Sequence, residues 1–152
     1  MAALAVFASC ASPARPGPVL PAGPAVIEVA MTEYRFAFNQ EVPAGRVVFT
    51  VTNAGRMGHR LALLPLADDV PPIADQLKGN QRRVVQPFAG VPDRRPGQSG
   101  AFAADLVAGR RYAFICFLTN PDGKSHARLG MNAEFRAGGT ISTTTTTTQR
   151  TG

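Results

Sequence analysis

Short stretches in which apolar and polar side chains alternate constrain this chain more than any other feature of its sequence. Ile27, Val29 and Met31 occupy every second position of one stretch, and residues 47–51 repeat the pattern after the turn residues 42–45. A period of two places the apolar side chains on one face of a β-strand. These stretches therefore predict strands that each contribute one face to a buried core.

The C-terminal half contains the same signal. Tyr112, Phe114 and Cys116 share one face of a predicted strand, and residues 131–136 alternate in the same way. Residues 120–123, which read Asn-Pro-Asp-Gly, have the composition of a turn. Several short strands separated by turns that contain Pro and Gly predict an all-β fold built as a two-sheet sandwich.

Two positions interrupt the alternation. The apolar residues of 26–38 change parity at Glu33, which predicts a β-bulge or a crossing between sheets. The apolar run 61–66 contains Pro65, which has no amide proton to donate to a neighbouring strand. We therefore expect the end of this run to lie away from the middle of a sheet.

The middle of the chain has a weaker pattern. One short helix is predicted within 67–83, because Pro72 stands at its start and Gly79 just after its end. Residues 87–100 predict a loop, and residues 102–106 predict a further strand.

The two ends of the chain differ in composition from the body. Residues 1–24 are rich in Ala, Pro and Gly, and residues 138–152 are dominated by threonine. Neither segment has the apolar periodicity that offsets the entropy cost of ordering a chain. We therefore expect an export or lipoprotein signal with a linker in 1–24, one folded domain in 25–137 and a disordered tail in 138–152.

Cys10 follows the apolar residues 4–9 and precedes a spacer rich in Pro and Gly. This arrangement resembles the lipobox of bacterial lipoproteins, although Phe7 stands where leucine is usual, and it implies membrane attachment through a lipidated Cys10. The alternatives are an ordinary export signal or a terminus with an incidental cysteine. We expect a location in the cell envelope, anchored as a lipoprotein or else secreted or periplasmic. In an exported protein Cys116 lacks a disulfide partner, and an unpaired thiol in an oxidising compartment requires an explanation.

The net charge of +6 is spread along the sequence. The arginine pairs at 82–83, 94–95 and 110–111 are separated by apolar or turn residues. A nucleic-acid-binding protein would more often show a basic stripe with aromatic platforms, so the sequence disfavours that class. The positive charge is suited to steering an acidic protein or to attracting an anionic membrane surface.

Four residues that can bind a metal stand at predicted strand ends or in the loop between the last two strands: His59, Cys116, His126 and Met131. Type-1 copper is bound by one thiolate and two imidazoles, with a weak and long axial thioether. Taken singly, each residue also has an ordinary explanation, since a buried cysteine or methionine packs as a core residue and a loop histidine is commonly solvated.

The segments around these residues resemble the cupredoxin, or type-1 blue-copper, family. The first segment reads VPAGRVVFTVTNAG and then, after Arg56, MGH; the second reads YAFICFLTNPDGKSHARLGM. Cysteine at a strand end, histidine in the next loop and methionine five residues later are in the family order. The resemblance covers most of residues 26–136. It implies a Greek-key sandwich similar to plastocyanin and azurin that binds one copper ion, Cu+ or Cu2+, through His59, Cys116, His126 and Met131.

Two positions depart from the family pattern. Arg60 stands where several members have a hydrogen-bonding asparagine, and Phe117 stands where a small polar residue is common. Both are expected to affect the reduction potential more than copper binding. Arg60, Lys124 and Arg128 are expected to add positive charge near the copper, which favours Cu(I).

The resemblance implies an extracytoplasmic one-electron carrier that docks transiently on a redox partner protein and is not an enzyme. His126 is expected to expose one edge of its ring as the electron port, with Leu129 beside it. Copper enzymes need additional histidines, and this sequence has only two. The alternative is a cupredoxin-fold protein that delivers or stores copper, or a metal-free binding module, although delivery proteins more often use Met-rich or Cys-x-x-Cys motifs. We expect a monomer.

Overall fold

The strands predicted from alternation are present in the structure, together with others that the sequence did not indicate. The computed structural model describes residues 23–79 and 86–138. These residues form eight strands and one helix: β1 (Ala25–Thr32), β2 (Arg35–Phe38), β3 (Gly45–Asn53), β4 (His59–Leu66), α1 (Ile73–Lys78), β5 (Ala89–Arg94), β6 (Ser99–Leu106), β7 (Arg111–Ile115) and β8 (Asn132–Arg136). Cys10 and the threonine run of the predicted tail lie outside the described residues.

Two four-stranded sheets form the layers of the molecule. Their strand orders are β2-β1-β3-β6 and β5-β4-β7-β8. Strands β1 and β3 pair in parallel, and the other pairings are antiparallel. The predicted two-sheet β-sandwich is confirmed. Within residues 23–79 and 86–138, no helix has the length and apolar character needed to cross a membrane.

The main core lies between the two sheets and is centred on Phe114 of β7. The Phe114 ring centroid lies 5.0 Å from that of Phe38 and 5.4 Å from that of Phe49, both in edge-to-face contact from the opposite sheet. Such pairs stabilise a core through their buried area and their ring geometry. The inward face predicted for this strand is confirmed, because Tyr112, Phe114 and Cys116 all belong to this cluster and are at most 2% exposed.

The outer face of the second sheet is covered by helix α1. Ile73 and Leu77 of the helix pack in one cluster with Ala113 and Ile115 of β7. The helix predicted within 67–83 is confirmed. Strand β7 is thereby buried on both faces and is rigidly packed. Cys116 directly follows this strand, so its backbone position is well fixed.

The parity change at Glu33 marks a hairpin turn, so the predicted bulge or sheet crossing is wrong. Strand β1 ends at Thr32, β2 begins at Arg35, and these two residues pair across an antiparallel ladder. The apolar positions change parity because the chain reverses through Glu33 and Tyr34.

The loop predicted at 87–100 is also wrong, because this segment contains β5 and the start of β6. At Gly90, where φ is +150°, a Cβ atom would lie 2.1 Å from the Leu61 carbonyl oxygen, so the close approach of β5 to β4 requires glycine. The pairing of β4 with β5 extends only from His59 to Leu63. Pro65 therefore lies beyond that pairing, where its missing amide proton costs little.

Candidate metal centre

His59 is the first residue of β4 and has no exposed surface. The loop before it is held by Asn53, which is also fully buried. The Asn53 side-chain nitrogen donates to the carbonyl oxygens of Met57 and Arg94, both at 2.8 Å, and its oxygen accepts the Gly55 N–H at 2.9 Å. The position of His59 is therefore fixed by strand β4 on one side and, on the other, by a loop that the buried Asn53 amide holds in place.

Cys116 directly follows β7 and is also fully buried. Its N–H donates to the Met131 carbonyl oxygen at 3.1 Å, and its Sγ accepts the Arg60 N–H at 3.5 Å. Because β4 and β7 are antiparallel neighbours, the first residue of β4 and the residue after β7 lie at the same end of the sheet. The register of the sheet thus brings His59 and Cys116 together.

His126 lies in the loop between β7 and β8 and is 3% exposed. Its N–H donates to the Leu118 carbonyl oxygen at 2.8 Å, and its own carbonyl accepts the Met131 N–H at 2.9 Å. Its Nδ1 lies 3.5 Å from Cys116 Sγ, and its Nε2 lies 2.9 Å from Asn120 Oδ1. The ring is therefore oriented with one nitrogen toward the thiol and the other toward an amide.

These three residues form one cluster. A ligand atom from each of His59, Cys116 and His126 lies within 4.8 Å of the other two, and all three residues are buried. Met131 is fully buried, and its backbone hydrogen-bonds to both Cys116 and His126. The structure thus places all four predicted site residues at one end of the sandwich. The axial contact from the Met131 sulfur stays a prediction.

The chemistry of His59 fits a metal ion. Both of its ring nitrogens are buried and lack a hydrogen-bond partner within the described residues. A buried polar nitrogen without a partner is destabilising, whereas a metal ion satisfies the lone pair of an imidazole. One soft thiol and two imidazoles within mutual reach are a donor set typical of copper or zinc. The residues present therefore fit a transition-metal ion.

Burial sets the protonation of the cluster. Burial lowers the pKa of His59, and the neighbouring His126 lowers it further, against the opposing effect of Glu33. Burial alone lowers the pKa of His126. Burial raises the pKa of the Cys116 thiol, although the N–H groups of Arg60 and Leu118 oppose this. These pKa shifts favour the neutral form of both imidazoles, which is the form that binds a metal, and the thiol loses its proton on metal binding.

The expected exposure of His126 is wrong. Its Nε2 is covered by Asn120, whose Nδ2 in turn donates to the Tyr34 hydroxyl at 2.8 Å. The Tyr34 ring stands edge-on to the imidazole, with 5.3 Å between ring centroids. Leu129 is 38% exposed and lies at the outer surface of the same loop.

The expected positive charge at the site is partly neutralised. Arg60 pairs with Asp93 at 2.5 Å, and Lys124 pairs with Asp122 at 3.1 Å. Arg128 has no carboxylate partner among residues 23–79 and 86–138. Arg60 also contributes to the site through its backbone, because its N–H donates to the Cys116 sulfur. This hydrogen bond does not depend on the side chain at position 60.

Sequence reasoning missed four residues that surround the cluster: Glu33, Tyr34, Asn53 and Asn120. Nothing in the sequence singles these four residues out, since each is a common residue of turns and strand ends. Their contacts depend on which loops meet at this end of the sandwich, and only the structure reveals that.

A two-sheet sandwich with a buried Cys–His–His cluster at the end of adjacent strands is the architecture of the cupredoxins, and this chain has the cupredoxin fold. Reduced auracyanin from Roseiflexus castenholzii superposes with a TM-score of 0.52 at 22% identity, over 76% of this chain and 98% of that chain. Auracyanin A, a blue copper protein from Chloroflexus aurantiacus, gives 0.51 at 20% identity, over 76% and 99%. Rusticyanin from Thiobacillus ferrooxidans gives 0.50 at 17% identity, over 76% and 79%.

No protein-family model matches the sequence, and no curated protein matches it. At these levels of identity, the structural likeness establishes the fold alone.

Proposed function

We propose that this protein is a one-electron carrier with a single type-1 copper ion bound by His59, Cys116, His126 and Met131. The observation that carries the proposal is the buried cluster of His59, Cys116 and His126, in which both nitrogens of His59 lack a partner. The similarity to auracyanin A, described as a blue copper protein, supports the choice of copper over zinc. When bound, copper supplies a one-electron couple between Cu(I) and Cu(II).

The residues of this chain contribute a fixed geometry. His59 and Cys116 belong to the ends of two paired strands, and the Arg60 N–H stabilises negative charge on the Cys116 sulfur. Strand β7 is buried on both faces, so the thiol cannot move far between oxidation states. A small change in ligand positions lowers the cost of electron transfer.

The site lies below the surface, and the proposed docking region follows from what covers it. Asn120 and Tyr34 lie over His126, so a redox partner would contact these side chains and the exposed Leu129. The net charge of +6 favours a partner with an acidic surface and a transient, salt-sensitive complex.

We further propose that the protein works outside the cytoplasm, attached to a membrane through a lipidated Cys10, and that it has no enzymatic activity of its own. The support for export is the apolar segment before Cys10 and the lone cysteine within the proposed domain.

Voltammetry of the copper-loaded full chain tests the carrier function. We expect one reversible one-electron wave per chain, lost in the Cys116→Ser variant, and no catalytic current with oxygen or nitrite. Stable copper binding without a reversible wave would contradict electron transfer and favour delivery or storage. A catalytic current would contradict the absence of enzymatic activity.

A further inference from the structure

The turn between β1 and β2 has an unusual backbone for its sequence. It consists of Glu33 and Tyr34, and Tyr34 has a φ of +59°. This region of backbone space favours glycine, and a bulky residue there is destabilising unless its surroundings hold it in place. The turn also packs tightly against the loop of His126, because a Cβ at Gly130 would lie 3.3 Å from the Tyr34 carbonyl oxygen.

The contacts of the Tyr34 side chain hold this backbone conformation in place. Its hydroxyl accepts the Asn120 Nδ2–H at 2.8 Å, and Asn120 Oδ1 lies 2.9 Å from His126 Nε2. In this orientation of the Asn120 amide, Oδ1 is an acceptor, so the bond requires the His126 proton on Nε2. The lone pair of Nδ1 then faces the Cys116 sulfur at 3.5 Å and accepts the thiol S–H of the metal-free protein.

The side chain of Glu33 lies near the other imidazole, that of His59. Its carboxylate accepts the Arg56 N–H, which holds it over Gly55. A Cβ at Gly55 would lie 2.8 Å from Glu33 Oε1, 3.1 Å from His59 Nε2 and 3.2 Å from Asn53 Oδ1. These atoms therefore surround one small space that exists because residue 55 is glycine. Two of them are acceptor oxygens near His59 Nε2, which has no hydrogen-bond partner among the described residues.

We infer that the Glu33–Tyr34 turn is a positioning element for both histidines. Tyr34, acting through Asn120, holds the proton of His126 on Nε2. Glu33 favours the proton of His59 on Nε2, so that Nδ1 of each ring faces the metal. Outer groups of this kind fix the tautomer and ring orientation of metal-binding histidines. The inference rests on the proposed copper site, since it assigns the nitrogen that each ring offers to copper.

The metal-free protein provides the first test. Nitrogen-15 NMR of the imidazoles at pH 7 reports which nitrogen carries the proton. In the wild type we expect Nε2–H for both histidines. Tyr34→Phe should give His126 a mixture of tautomers while His59 is unchanged, and Glu33→Gln should do the reverse. A wild-type proton on Nδ1 of either ring, or tautomers that do not respond to these variants, would overturn the inference.

Matched variants separate positioning from general loss of stability. Tyr112→Phe removes another buried hydroxyl, which accepts the Val107 N–H at 2.9 Å far from the cluster, and Glu28→Gln neutralises an exposed carboxylate on β1. Both should leave the tautomers as they are in the wild type. If Tyr112→Phe shifts the His126 tautomer as strongly as Tyr34→Phe, the effect is one of stability and the inference fails.

Copper binding provides the second test. Glu33→Gln should weaken copper affinity by about 10- to 100-fold, the usual effect of removing such a group, and should raise the reduction potential because an anion near His59 is lost. Tyr34→Phe should weaken copper affinity by about 5-fold, as expected for one neutral hydrogen bond. Unchanged affinity and potential in both variants would overturn the inference.

The two tests also separate this inference from the proposed function. A wild-type protein with the expected tautomers that forms no copper–thiolate band would contradict the copper carrier but not the positioning of the rings. A wild-type protein that binds copper normally with the opposite tautomers would contradict the positioning alone.

Discussion

Strand β4 and the loop between β7 and β8 each supply one histidine to the cluster, and they hold it in different ways. His59 is held by burial at a strand start, and neither of its nitrogens has a hydrogen-bond partner among the described residues. His126 lies in a loop, and its ring is oriented by Asn120 and Tyr34. The ring of His59 is therefore held by packing, with the Glu33 carboxylate nearby, whereas the ring of His126 is held by direct side-chain hydrogen bonds.

The largest single loss of stability is expected at the asparagines of the two regions. Asn53→Ala removes three hydrogen bonds from a fully buried side chain, and we expect a loss of about 3 kcal/mol in the free energy of unfolding. Asn120→Ala removes two bonds from a half-buried side chain that water can replace, and we expect a loss of about 1 kcal/mol. Urea denaturation of the metal-free proteins measures both. Equal losses in the two variants would show that the His126 loop and the start of β4 depend equally on their asparagine hydrogen bonds.

The next difference concerns the histidines, and the two changes should have opposite signs. His59→Leu removes two buried nitrogens without partners and keeps a similar volume, so we expect the metal-free protein to gain about 1–2 kcal/mol. His126→Leu leaves Asn120 Oδ1 without its partner, so we expect a loss of about 1 kcal/mol. Both variants should lose copper binding. If His59→Leu destabilises the metal-free protein, His59 makes a stabilising contact stronger than its interaction with Glu33.

The smallest expected effect is the pH dependence that both regions share. Burial lowers the pKa of both histidines in the folded protein, so an unfolded chain binds more protons below its own histidine pKa of about 6.5. The contribution of the two neutral histidines to the stability of the metal-free protein should therefore be fully present above pH 6.5. It should decrease as the pH falls below that value.

Each histidine can contribute at most about 1.4 kcal/mol per pH unit to this fall. Thermal denaturation between pH 7.5 and pH 5 measures the slope, and His59→Leu and His126→Leu should each reduce it. If a double variant that lacks both histidines has the same slope as the wild type, other groups cause the pH dependence.

The sequence predicted the fold because its strongest signal is local. Alternation in residues 47–51 and 112–116 reports directly on which side chains face the core, and these faces are buried as expected. Strand β5 was missed because it contains Gly90 and Pro92 and does not alternate; its place is fixed by close approach to β4, which is a contact distant in sequence.

The four residues of the proposed copper site were predicted from residue type, order and spacing, whereas their surroundings were not. The parity change at Glu33 predicted a bulge or a sheet crossing and not a turn, since tyrosine rarely adopts a positive φ and a tight turn is expected to contain Gly or Asn. His126 was expected to expose one edge of its ring because the resemblance to the cupredoxins implies an electron port there. It is buried because Asn120 and Tyr34, 86 residues apart in sequence, meet over its ring.

We expect Cys116 to bind copper in a cluster with two histidines, and this ligand decides whether the protein is a blue-copper carrier. The most direct measurement is the visible spectrum of the full chain with one equivalent of Cu(II), compared with Cys116→Ser and with Cys10→Ser as the matched control for the other thiol. We expect an intense blue or green colour from the copper–thiolate bond in the wild type and in Cys10→Ser, and its complete loss in Cys116→Ser. A colourless wild type that is folded by circular dichroism, or a colour that survives in Cys116→Ser, would contradict the account.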